Sequence, residues 1–276
     1  MENLIRGFKE NNAFRITTLL VILLLAIVIL APVIAPYNPL EAVMKDANQA
    51  PSAAHLFGTD KLGRDVLSRI LYGGAYSLSS VLALVVIIFC VGTTLGIIAG
   101  YFGGVIDTVI MRIADMMISF PGVILAIAIA GIMGGSLINA MIALTAVTWT
   151  KYARLARSMV LKIKKRDFVD AAIVSGGTNP HILWSHIMPS IVPLLVITGV
   201  SDIGAMMMEL AGLSFLGFGS QPPAPEWGLM LNEGRQQLQT APWLMFFPGL
   251  AIFLSVVIFN LWGDSLRDVL DPRNEE

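Results

Sequence analysis

Three long stretches of this chain carry no charge at all, which constrains its fold more than any motif does. Between Ile16 and Ala35, Ile70 and Ile106, and Met116 and Thr150 there is no Asp, Glu, Lys or Arg. A bilayer core about 30 Å thick needs about 20 apolar residues as helix, because lipid cannot satisfy an open backbone. A water-soluble domain carries about a quarter charged residues; this chain carries 13%, with 56% hydrophobic residues. That composition indicates an all-α integral membrane protein and excludes a disordered chain. A net charge of -1 excludes a basic nucleic-acid binder. Cys90 is the single cysteine, so no intrachain disulfide forms.

The runs predict six transmembrane helices. The first, Ile16 to Ala35, is too long for a signal-peptide core and is followed by Pro32 and Pro36 rather than a small-residue cleavage site, so it reads as a retained anchor. Ser77 to Tyr101 gives the second. The 35 uncharged residues from Met116 to Thr150 divide at Gly134-Gly135, and yield two spans if the first begins near Thr108 and takes in Asp115. Ser190 to Leu213 and Trp243 to Trp262 complete the set. With the N-terminus inside, 13 Lys and Arg fall on cytoplasmic segments and 5 on outer ones, which places both termini in the cytoplasm. Arg6, Lys9 and Arg273 contribute to that bias; Lys45, Lys61, Arg64 and Arg69 oppose it. Residues 1–36 then hold the N-terminus and first helix, 37–76 an outer loop, and 77–276 a five-helix core with a cytoplasmic loop at about 151–189. No 20–50-residue repeat is visible, which weakens a reading as an internally duplicated secondary transporter.

That cytoplasmic loop is the most informative stretch. A basic amphipathic entry, KYARLARSMVLKIKKRDF, leads into DAAIVSGGTNPHILWSHIMPS. Asp170, Ala171 and Ala172 begin a short helix that Gly176-Gly177 terminates, glycine being suited to the left-handed cap. Asn179-Pro180 opens a second helix, with proline early in it, and Pro189 closes it. The pair forms a knob whose small alanines allow another backbone to approach. A basic loop that only fixes topology and touches lipid headgroups is the plainer alternative.

Asp170-Ala171-Ala172, Gly176 and Met188-Pro189 together resemble the coupling loop (the "EAA" motif) of permease subunits of bacterial ABC importers. Aspartate stands where glutamate is usual, and His186 where an apolar residue is common. HLFGTDKLGRDVLSRILYGGAYSL (55–78), ELAGLSFLGFGSQPPAPEWGLMLNEGR (209–235) and PGLAIFLSVVIFNLWGDSLRDVLDPR (248–273) are similar to blocks of the dipeptide/oligopeptide/nickel permease family, in the right order. The resemblance implies a type I importer permease fold, a multi-pass location in the bacterial cytoplasmic (inner) membrane, and a second homologous permease subunit. It also implies two ATP-binding subunits and an extracytoplasmic substrate-binding protein. Asp170, Ala171, Ala172, Gly176, His186 and Pro189 would then meet the ATPase. The chain has no Walker A pattern, so ATP and Mg belong to the partner subunits and no cofactor is expected on this chain; it is a transport subunit, not an enzyme.

Carboxylates within a bilayer need a partner or water. Asp115, Asp202 and Glu209 are such residues, and Asp202 and Glu209, seven apart, share one helix face with Met206 between them. They either line a translocation path suited to a cationic or amine-bearing cargo, or hydrogen-bond across helices while methionine fills irregular packing. In the outer segments, Arg64, Asp65, Glu226 and Trp227 are candidate contacts for the binding protein; alternatively Arg64 and Asp65 pair with each other and Trp227 anchors at the interface. His181 and His186 are five apart with no third ligand near, so no metal site is expected. The fifth-span pattern SDIGAMMMELAGLSFLGFG resembles the nickel or metal-chelate branch of the family more than its peptide branch, which implies a nickel or metal-chelate cargo, and soft thioethers support it. Ala211-Gly212 departs from the Ala-Ala of that branch, and di- or oligopeptides remain the alternative. The rival of another class is a stand-alone proton-coupled transporter using Asp202 and Glu209.

Overall fold

The apolar runs are all helical in a computed structural model of the chain, which describes residue 8 and residues 11–270. Arg6, Lys9 and Arg273, and with them the placement of both termini, lie outside the described residues. Among the described residues there is no strand beyond one isolated bridge, Thr59 to Asp65. The principal helices are α1 (Asn12–Ile29), α2 (Val66–Phe102), α3 (Gly104–Ile118), α4 (Gly122–Met133), α5 (Leu137–Ile163), α6 (Asp167–Val174), α7 (Asn179–Phe215), α8 (Trp227–Gly234) and α9 (Trp243–Leu270). By contacts the chain divides into two units: Met1–Ala83, Ile129–Ile142 and Val200–Glu276 in the first, Leu84–Ala128 and Ala143–Gly199 in the second.

In the first unit, Asn11 caps α1 by accepting the Phe14 N–H at 3.0 Å. α1 lies along α9, where Thr17 and Ser265 hydroxyls meet at 2.8 Å and the Trp262 indole N–H donates to Thr18. Phe14 and Val21 face inward, whereas Ile16, Ile22 and Leu23 are more than half exposed. Such a helix is stable only where lipid covers it. The apolar run outlasts the helix: α1 stops at Ile29, a single turn follows at Ala31–Ile34, and Pro36 prevents continuation.

In the second unit, α2 and α5 pack through glycine. Gly92, Gly96 and Gly100 recur every four residues, and a Cβ at Gly96 would lie 2.3 Å from the Ala153 carbonyl oxygen. Without a hydrophobic force between helices in lipid, such small stripes supply the close backbone contact that holds them. Fully buried Ala153, Ala156 and Val160 form the opposing face.

Six runs predict six crossings. Among the described residues, four helices meet that requirement by length and composition (α1, α2, α7 and α9), and α3 with α4 make a fifth bent by 93°. The bend follows from Pro121, which lacks an N–H and pushes Phe120 out of the helical region. The remaining run begins α5, but no break follows Thr150: the helix continues through the basic residues to Ile163. Pro189 likewise fails to end its helix. A π-helical turn at Leu183–Ile187, closed by Met188 N–H to the Leu183 carbonyl, precedes the proline and lets the chain continue into the span. Such turns shift the hydrogen-bond register where a proline would otherwise clash.

Candidate functional site

Short helix α6 begins three residues earlier than expected, with Asp167 and Asp170 in its first turn, where acids favour the positive end of the helix dipole. Its end fits the expectation closely. Gly176 N–H bonds to the Ile173 carbonyl and Gly177 N–H to that of Ala172, both at 3.0 Å, with Gly176 at φ +80°. This double bond pattern is the Schellman cap. A Cβ at Gly176 would meet nothing within 4 Å, so the constraint there is backbone conformation and not space.

The knob is rigidly based. Val169, Ile182 and Ile187 are buried in one cluster with Ile97, Tyr101, Ala156, Val160, Ile191 and Leu195. Tyr101 donates its hydroxyl to Asn179 at 2.9 Å, and Lys164 donates to the Tyr101 carbonyl at 2.7 Å while sitting 5.2 Å over that ring. Its outer face is open and apolar: Phe168, Ile173, Val174 and Trp184 are all exposed, Val174 to 88%. Ala171, Ala172 and His186 line one groove of about 340 Å³ with Phe168 and His181. Asp170, Gly176 and Pro189 are exposed beside it. Ile173, Val174 and Trp184 add to this surface beyond the residues expected from sequence, and spacing alone does not single out Ile173, which is four residues from buried Val169 yet exposed.

The intramembrane candidates separate. Asp115, in the second unit, pairs with Arg154 at 2.5 Å, each side chain about half exposed. Asp107 binds Arg157 through both oxygens. Asp115 therefore joins α3 to α5, which is the cross-helix alternative. In the first unit, Asp202 and Glu209 are half-buried on α7. Met206 is not between them on an open face: it is buried, like Met207, and Met208 is the exposed thioether at 56%. Packing against neighbouring helices, invisible in a local run, decides which methionine faces out.

The outer candidates are all internal. Arg64 and Asp65 are 2% exposed, Glu226 and Trp227 3%, so none presents a side chain at the surface, and Arg64 does not pair with Asp65. Arg64 bonds Asp60 at 2.6 Å and reaches Glu233 at 3.2 Å; Arg69 bonds the same two carboxylates. Asp65 caps α2 through the Ser68 N–H and hydroxyl and contacts His55 at 3.0 Å. Glu226 caps α8, accepting from the Gly228 and Leu229 N–H groups at 2.8 Å. Burial pushes the Glu226 carboxyl above its ordinary range, against the lowering effect of those two N–H donors and of Ser214 and Ser77. Trp227 is buried and donates its indole N–H to the Ile70 carbonyl at 2.9 Å. Asp60, Arg69 and Glu233 were missed, because Glu233 comes from 169 residues away.

Long apolar helices joined to a knob seated in a buried cluster fit a multi-pass membrane protein, and the comparisons give its class, the transport permeases. The profile described as "Binding-protein-dependent transport system inner membrane component" matches residues 92–276, and that described as "N-terminal TM domain of oligopeptide transport permease C" matches residues 2–51. The chain belongs to this family of ABC importer permeases. It is 42% identical to the dipeptide transport system permease protein of Alkalihalophilus pseudofirmus, over 97% of this chain and 88% of that one. Identity is 44% to the glutathione transport system permease protein of Pectobacterium atrosepticum (97% and 89%) and 40% to the nickel transport system permease protein of Escherichia coli (94% and 93%). A chain of the inward-facing MetNI methionine ABC transporter has the same fold, with a TM-score of 0.52 at 18% identity over 71% of this chain and 95% of that one.

Proposed function

We propose that this chain is one permease subunit of an ATP-driven importer of the bacterial cytoplasmic membrane, with both termini inside. A second homologous permease completes the pathway, and two ATP-binding subunits below hold ATP and Mg. An extracytoplasmic binding protein delivers cargo to the outer face. The observation that carries this reading is the knob: its base is locked into a helical cluster, and its exposed apolar face and alanine-lined groove are left for a partner. A rigid element of this kind transmits a partner's movement to the spans, whereas a flexible basic loop would absorb it. Asp170, Ala171, Ala172, Gly176, His186 and Pro189 form or border that docking surface.

The cargo we infer is a short peptide. Relatives transport dipeptides, glutathione and nickel by name, and two of those three are peptides. The thioether argument for a metal weakens with Met206 and Met207 packed inside. Carboxylates Asp202 and Glu209 suit the ammonium terminus of a peptide. Uptake of labelled dipeptide, glutathione and nickel in deletion cells tests this: loss of peptide uptake alone supports it, and loss of nickel uptake alone refutes it.

A further inference from the structure

A cleft of about 550 Å³ lies at the outer end of α1, lined by Tyr37, Tyr72, Tyr76 and four prolines, with no charged side chain. Its volume is that of a small-ligand pocket. Pro32 lies three residues past the end of α1, and Tyr72 and Tyr76 stand one turn apart in the first turns of α2, so both walls sit at helix ends beside the apolar runs. Tyr37 is held in place: its hydroxyl donates to the Ala54 carbonyl at 2.8 Å, its N–H donates to Ser68 at 3.1 Å, and its ring lies 4.8 Å from that of His55.

The chemistry of the lining selects its ligand. Tyrosine faces attract organic cations through the ring quadrupole. Pro32, Pro36 and Pro39 contribute no backbone N–H to the wall, which removes donors that an anion would use. A phosphate or carboxylate finds no cation here. Beside the cleft, Val33 is 81% exposed and Ile34 46%, giving acyl chains an apolar bed. We propose that this cleft binds the ammonium headgroup of a zwitterionic outer-leaflet phospholipid, fixing the depth and orientation of α1. The inference rests on the proposed orientation, with the N-terminus inside, and is independent of cargo and of the importer's other subunits.

Native mass spectrometry of the full-length chain, titrated with phosphatidylethanolamine or phosphatidylglycerol, tests it. One phosphatidylethanolamine is expected to remain bound under activation that strips phosphatidylglycerol. Tyr76→Leu should weaken its retention about fivefold or more, and Tyr76→Phe, which keeps the ring, should not. Circular dichroism confirms that both variants are folded. Equal retention of the two lipids, or retention unchanged by Tyr76→Leu, overturns the proposal. Displacement of the lipid by free ethanolamine also overturns it, since the site would then serve a soluble amine.

Discussion

Glu233 closes a buried square with Asp60, Arg64 and Arg69, and its removal leaves two guanidinium groups without their second partner. Breaking a buried ion pair from one side costs about 3–5 kcal/mol, so Glu233→Ala should lower the thermal midpoint sharply. Arg154→Ala provides the contrast. Its pair with Asp115 is about half exposed, such pairs contribute about 1 kcal/mol or less, and the midpoint should barely move. An equal loss in both variants would contradict the distinction drawn between the two sites. At the knob, Gly176→Pro forces a residue held at φ +80° into a ring locked near -65°. It should abolish uptake while the protein still inserts at normal levels, as measured by membrane immunoblot. Much of this scale was hidden in the sequence. The cap at Gly176 is local and was legible, whereas the fates of Arg64 and Met206 depended on partners far along the chain.

Among the elements, the α2–α5 seam and the outer helix α8 make separate predictions. Gly96→Leu places a side chain where even a Cβ lies 2.3 Å from backbone. The seam must part, and accumulation of the protein in the membrane should collapse; normal accumulation would show that the seam is not needed. For α8, the carboxyl of Glu226 is raised by burial, so folding favours its protonated form. The stability this adds is complete below the ordinary glutamate value and is lost as pH rises through the raised one. Glu226→Gln keeps one of the two acceptor oxygens that serve the Gly228 and Leu229 N–H groups and cannot ionise. The thermal midpoint of wild type should therefore fall relative to the variant across that interval, and parallel pH profiles would contradict this. Helix existence was legible from uncharged runs, because lipid leaves the backbone no other choice. Helix ends were not: proline normally breaks a helix, yet Pro121 bends its pair by 93° while Pro189 is absorbed by a π turn.

For the whole molecule, family membership supplies the class, and the proposed drive by partner ATPases passes through the knob. The order of motif blocks made that class legible from sequence alone. Cargo was not legible, since relatives with different cargoes share between 40% and 44% identity with this chain. The most direct test is uptake of labelled peptide by deletion cells carrying wild type or Ala172→Arg, a change that puts a long charged side chain into the groove. Ala172→Arg is expected to insert normally and restore no uptake, while wild-type uptake survives an uncoupler as long as cellular ATP stays high. Full uptake by Ala172→Arg, or uptake abolished by the uncoupler at high ATP, would contradict a permease driven through this knob.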